Sequence, residues 1–240
     1  MTKTIAIFGF GPGLGMGTGR RFGREGFRVA VIGRNPDKAR GHVAELAAEG
    51  IEAAAFPADL TEEKQLYSVV DDITDKFGQI DVAMHGAAGD AVDRIPTTLD
   101  VDAANLRIPL ELKVYSPIWM TRALAPAMIE RGEGALLFSS GYSDRYPAPY
   151  LSNFGVALGA QRGYIRQLAV ELQDTGVYVG LLNIGALIGN SEAERLVDEQ
   201  PELFPAGLEI VRMTNDELGD HYWRMYTDRD AVESDIGFPE

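Results

Sequence analysis

The sequence predicts a single α/β domain in which a doubly wound parallel sheet is flanked by helices. Three observations carry that prediction. Short apolar runs alternate strictly with helix-length segments, a glycine-rich turn separates the first run from the first helical segment, and 240 residues with 45% hydrophobic content suffice for one large core. Strict alternation requires parallel strands joined by right-handed crossovers.

The elements follow in order. Segments 4–8, 28–32, 52–56, 81–84, 135–139 and 177–183 read as strands, and 14–26, 36–49, 61–77, 99–131 and 150–173 as helices. Thr61-Glu62-Glu63-Lys64 is a helix start, and Gly26, Gly50 and Gly78 stand where a helix needs a left-handed stop. No internal repeat or low-complexity linker divides the chain, so residues 1–240 are expected to form one domain. After Gly189 the alternation lapses. Segment 190–220, with Pro201, Pro205 and Gly207 among mixed charged and apolar residues, reads as a poor sheet element and is expected to be a mobile substrate-binding flap. Segment 217–226 has a helical pattern that concentrates Tyr222, Trp223 and Tyr226; it either closes the core or contacts another copy.

Composition excludes several classes. The net charge of −14 repels phosphate polymers and anionic membranes, so nucleic acid and membrane are not expected partners. The lack of cysteine removes disulfides, thiolate metal sites and cysteine nucleophiles, and His42, His85 and His221 are too scattered to suggest a metal centre. Uncharged stretches such as 175–191 fall short of the ~20 apolar residues of a spanning helix, and the first residues run into a strand, so a soluble, cytoplasmic protein is expected.

Gly9-Phe10-Gly11-Pro12-Gly13-Leu14-Gly15 follows the first strand and opens a helix, the context that gives glycine spacing the meaning of a Rossmann-type dinucleotide site. Glycines let the backbone approach a pyrophosphate, and the helix N-terminus offers unpaired N–H groups and the positive end of its dipole. The competing reading is a tight turn with no ligand. At the end of the second strand Gly33 offers no carboxylate for the ribose hydroxyls, whereas Arg34 has a planar fork that suits a phosphate. NADP(H) is therefore the expected cofactor, with Asn35 and Lys38 as helpers; without a ligand Arg34 is a solvated surface side chain.

These segments resemble the short-chain dehydrogenases. Gly9-x-x-x-Gly13-x-Gly15 is similar to that family's glycine motif, Asp59-Leu60 to its adenine-contacting Asp, and His85-Gly86-Ala87-Ala88-Gly89 to its Asn-Asn-Ala-Gly segment. Leu168-Ala169-Val170-Glu171-Leu172, then Gly176-Val177-Tyr178-Val179, is similar to the LAxEL helix end and the strand after it. The resemblance covers about residues 3–190. It implies cofactor contacts at Gly9, Gly11, Gly13, Leu14 and Gly15, at Arg34 and Asn35, at Asp59 and Leu60, and at His85, Gly86 and Ala87. Ile184-Gly185 stands where the family has its Pro-Gly turn beside the nicotinamide. A homodimer or homotetramer paired through the fourth and fifth helical segments is implied as well.

The same resemblance implies an Asn-Ser-Tyr-Lys tetrad. Registering on Leu168-Ala169 puts the tyrosine at Phe154 and the lysine at Leu158; registering on Gly134-Ala135-Leu136-Leu137 puts the serine at Gly141. The separation of 141 and 154 is the family's thirteen, and counting back from Met128 puts the asparagine at Lys113. No lysine follows Lys113, and Tyr67 is followed four residues later by Asp71, so no Tyr-x-x-x-Lys exists in the chain. A tyrosine needs such a cationic neighbour because its ordinary pKa, near ~10, makes it a poor base.

Lys113, Tyr142, Tyr146 and Tyr150 are the remaining candidates for catalysis, with Asp144 beside them. A buried Lys113 would have a lowered pKa and serve as acid, base or carbonyl-polarising cation. In the competing reading the tyrosines shape an apolar pocket and the lysine reaches solvent. His85 is expected as a hydrogen-bonding wall near the adenine-side ribose. The expected function is a nonclassical NADPH-dependent reductase of a small, largely apolar carbonyl, imine or enone; the alternatives are a cyclase, dehydratase or isomerase on the same scaffold, or a noncatalytic NADP(H)-binding sensor.

Overall fold

The computed structural model describes residues 2–88, 96–203 and 211–238, with the backbone alone at Tyr150 and Leu203. The six expected strands form at Thr4–Phe8 (β1), Arg28–Gly33 (β2), Ala53–Pro57 (β3), Val82–His85 (β4), Gly134–Gly141 (β5) and Val177–Ile184 (β6). Two short strands, Leu187–Ile188 (β7) and Arg212–Met213 (β8), pair with each other, and Glu233–Ile236 (β9) joins the main sheet. That sheet is parallel throughout and ordered β3-β2-β1-β4-β5-β6-β9. Its order reverses between β1 and β4, which opens a crevice at the carboxyl ends of those strands.

Side chains alternate across each strand and divide the core in two. Ile5, Ile7, Val29 and Val31 pack on one face with Met16 of helix Leu14–Arg24 (α1) and Leu46 of Pro36–Ala48 (α2). Ala6, Phe8, Ala30 and Ile32 pack on the other, against Leu66 of Glu63–Phe77 (α3). Gly26, Gly50 and Gly78 all have positive φ, as the helix stops require.

The long helical segment is subdivided. Ala103–Leu110 (α4) starts on an Asp102–Asn105 capping box and runs through a wide turn at Glu111–Tyr115 into Ser116–Arg131 (α5). Pro117 explains the widening: it has no N–H, and in a regular helix its ring would press on the carbonyl of Lys113. The chain relaxes into the i→i+5 register, in which Ser116 N donates to Glu111 O.

Helix Ser152–Glu171 (α6) crosses beneath β5 and β6. Beyond it, the expected flap contains regular structure: β7 and β8 pair in parallel, and Ser191 caps Glu192–Glu199 (α7) by accepting from Glu194 N. β8 thus lies inside the stretch 190–220 expected to be a poor sheet element, and its partner β7 just precedes that stretch. Pro205 and Gly207 lie outside the described residues. Asn215–Asp228 (α8) places Tyr222 in the core with its hydroxyl donating to Phe138 O at 3.0 Å, while Trp223 and Tyr226 meet Phe22 and Phe27 edge-on or tilted. This aromatic stretch closes the core.

Candidate active site at the carboxyl edge of the sheet

The glycine turn is held before any ligand arrives. Gly9 N and Phe10 N both donate to Ile32 O, at 3.1 and 2.8 Å. Gly9 has φ +85°, and a Cβ there would lie 2.5 Å from the Ala87 backbone, so this glycine joins the turn to the end of β4. A Cβ on Gly15 would lie 2.9 Å from Phe10 Cα, whereas one on Gly11 would meet nothing within 4 Å. Gly11 is the open approach. Gly13 begins α1 with no side-chain cap and no acidic residue in the first turn, leaving N–H groups and a positive dipole end for an anion, with Leu14 as the first helical residue. On its other side Gly13 faces Ile188 and Ser191.

The neighbouring expected contacts are placed as follows. Arg34 is exposed just after β2. Asn35 is the cap of α2: its Oδ1 accepts from Asp37 N and Lys38 N at 2.9 and 3.0 Å, which commits that oxygen to the helix. Lys38 pairs with Glu192 at 3.4 Å. Asp59 Oδ1 accepts from Thr61 N and Oγ1, a local turn that leaves Oδ2 for any ligand, and Leu60 is buried beside it. Gly86 N donates to Phe8 O at 2.8 Å, and Gly86 and Ala87 continue the wall beyond β4.

His85 is not at the crevice surface. Strand alternation turns it to the face of β4 that Ala83 packs on, where it is fully buried with Nε2 2.9 Å from Ser116 Oγ. Burial, and then the charge of Lys113, hold its pKa down at about 3, so the ring is neutral. The expected ribose wall is an internal brace of the wide helical turn.

Lys113 lies in that turn and is 5% exposed, so it does not reach solvent. Its Nζ donates to Ser139 O at 3.4 Å, and burial lowers its pKa to about 8. No carboxylate pairs with it among the described residues. Gly141 and Leu158 do adjoin, since a Cβ on Gly141 would lie 3.4 Å from Leu158 Cδ1, and Phe154 is half-buried one turn earlier on α6. Tyr142 and Tyr146 stack at 5.0 Å in the loop leaving β5. Tyr150 belongs to a short turn at Pro149–Leu151, and its side chain lies outside the described residues. Burial raises the pKa of Asp144, which faces Arg162 at 3.4 Å. Ile184 is buried at the end of β6, and Gly185 N donates to Ile236 O.

Sequence reasoning missed several participants. Ser116 braces His85, Asn215 Nδ2 donates to Pro12 O at 3.1 Å across the glycine turn, and Phe238 stacks at 6.0 Å on Tyr142. Pro117 was a signal for the wide turn. Asn215 and Phe238 had none, because their positions depend on long-range packing.

A model of the short chain dehydrogenase family matches residues 3–200. A short chain dehydrogenase of Pseudocercospora fijiensis is 30% identical over 189 residues, which cover 77% of this chain and 60% of that protein. The chain thus spans less than two thirds of that relative. The 7alpha-hydroxysteroid dehydrogenase of Escherichia coli strain K12 is 26% identical over 186 residues, 78% of this chain and 71% of the enzyme. Among solved structures, NAD+-bound xylitol dehydrogenase superposes with a TM-score of 0.88 at 18% identity, covering 99% of this chain and 98% of its own. A metagenomic short-chain oxidoreductase in complex with NADP gives 0.76 at 21% identity over 98% and 94%. The structural likenesses establish the fold, a sheet of seven parallel strands between helical layers.

Proposed function

The chain belongs to the short-chain dehydrogenase family, and from that membership we propose that it is an NADP(H)-dependent oxidoreductase with a nonclassical active site, reducing a small, largely apolar carbonyl, imine or enone. One observation carries the reading: where the resemblance implies serine, tyrosine and lysine stand Gly141, Phe154 and Leu158, and the asparagine position holds a buried lysine whose pKa is about 8.

The residues present fit the cofactor. The open side of Gly11 and the uncapped start of α1 suit a pyrophosphate, and Arg34 suits a 2′-phosphate. NADPH, when bound, supplies the hydride. Phe154, Leu158 and Gly141 give the reaction corner an apolar wall, which excludes water and strengthens any charge interaction there. With the cofactor bound, the negative charge left on the substrate heteroatom, or on the α-carbon of an enone, would be where Lys113 delivers a proton. Lys113 is protonated at neutral pH and sits near enough to its own pKa to give that proton up. Orientation supplies the rest.

A panel of ketones, cyclic imines and enones incubated with NADPH deuterated at C4 tests the reading. Deuterium on a product carbon is the expected result; cofactor that stays intact with every member would count against it.

The buried amine also favours a second reading, a non-redox step run by Lys113 as base or nucleophile. Turnover without change in cofactor absorbance would identify it. For assembly, Ile108 of α4, Tyr115 in the wide turn, Ile129 of α5 and Val156 and Val170 of α6 are exposed apolar residues on the elements expected to pair, which supports a homodimer or homotetramer.

A further inference from the structure

We propose that Tyr142, Tyr146 and Phe238 form a binding face for a flat, unsaturated ring of the substrate, and that the strap carrying Phe238 determines specificity for it. The inference rests on the oxidoreductase reading and adds a substrate class.

The three rings converge at the carboxyl edge of β5 and β6, beside the reaction corner. Tyr142 directly follows Gly141. Tyr142 and Tyr146 lie at 5.0 Å and 23°, Tyr142 and Phe238 at 6.0 Å and 19°, and Tyr146 and Phe238 at 5.5 Å and 33°. Two of the three pairs are stacked and the third is tilted, and another flat ring can join such a cluster by offset stacking, which a puckered saturated ring cannot do.

The backbone is shaped to seat Phe238. A Cβ on Gly185 would lie 2.7 Å from the Phe238 ring, and one on Gly237, which has φ +71°, would lie 2.6 Å from Ala186 Cβ. Only glycine serves at these two places. Gly185 N also donates to Ile236 O at 2.8 Å, tying the strap to the turn after β6.

Charge clamps the same two segments together. Arg145, between the two tyrosines, reaches Asp235 at 2.7 Å and Glu233 at 3.2 Å; Arg162 of α6 holds Glu233 at 2.6 Å, and Arg166 holds its other oxygen. Both sides of the aromatic face are therefore fixed independently of ring contact. Even so, the rings are not sealed in the core: Tyr146 is 42% exposed, and Tyr142 and Phe238 are half-buried. The apolar surface they leave at water is what a ligand ring would cover.

The test is calorimetric titration of the full chain, with oxidised NADP present and absent, using 2-acetylnaphthalene and its saturated counterpart 2-acetyldecalin. The naphthyl ketone should bind about three- to tenfold more tightly than the saturated one. Phe238→Ala should weaken it by about fivefold or more, Phe238→Trp should retain it, and both variants should bind oxidised NADP as the wild type does. Equal binding of the two ketones, no binding of the naphthyl ketone, or an unaffected Phe238→Ala variant would overturn the proposal. Loss of the cofactor reading would show separately, in the NADP titration.

Discussion

Replacing Lys113 with methionine should make the protein more stable while removing the proposed proton donor. The wide turn buries the ammonium group, and burial lowers its pKa from 10.5 to about 8. A lysine whose folded pKa is depressed binds its proton less well in the native than in the unfolded chain. At pH 7 both states carry the proton, and the native state bears the whole penalty, about 3 kcal/mol. As pH rises from about 8 to 10.5, the native lysine is neutral while the unfolded one still holds its proton, so the penalty falls below about 1 kcal/mol by pH 10. Wild-type stability should therefore rise through that window by about 2 kcal/mol more than the variant's.

Methionine fills a similar volume and forfeits only the long contact to Ser139 O. The expected gain at pH 7 is about 2–3 kcal/mol, or roughly 4–12 °C in Tm for a chain of this length. Denaturant unfolding of both proteins at pH 7 and pH 10 measures the difference, and subtraction cancels the tyrosines that titrate in the same range. A methionine variant less stable than wild type at pH 7, or identical slopes with pH, would refute the buried-charge account. On the proposed function, reductase activity should fall together with the gain in stability, the exchange expected where a destabilising buried charge serves function.

Further outcomes follow from the same contacts. Gly17→Ala should cost at least about 3 kcal/mol in a thermal melt, because its Cβ would collide with the Asn215 carbonyl where α1 crosses α8. Gly11→Ala should instead unfold within about 1 kcal/mol of wild type yet bind NADPH about tenfold more weakly, as read by fluorescence titration. Burial alone would raise the Glu233 carboxyl, but hydrogen bonds from Arg162 and Arg166 outweigh it and hold the group at about 2. The stability from this depressed pKa is present above about 4.5 and lost as pH falls toward 2. Glu233→Gln should flatten that part of an acid-unfolding curve and cost about 1 kcal/mol at pH 7.

The sheet was legible wherever burial on both faces left an apolar run, as in Thr4–Phe8 and Val177–Ile184. β9 was not, because this edge strand reads Glu-Ser-Asp-Ile and is held by ion pairs to Arg145, Arg162 and Arg166. β7 and β8 were invisible at two residues each. In the site, the glycine turn was expected to approach a pyrophosphate, whereas what requires glycine at position 9 is its positive φ and the Ala87 backbone, and the pattern could not say that Gly17 and Gly219 serve a helix crossing. Lys113 could be placed by counting, whereas its burial depends on a widened turn that local propensity does not encode. Asn35 shows the converse: an amide beside an expected phosphate site was already committed to capping a helix.

The account depends on recognition of the 2′-phosphate by Arg34 at the edge of the glycine turn. Calorimetric titration of the intact chain with NADPH and NADH side by side tests it most directly. NADPH should bind roughly 10- to 100-fold more tightly, and Arg34→Glu should abolish the difference while leaving NADH unchanged. Equal affinity for the two cofactors, or heat from neither, would contradict it.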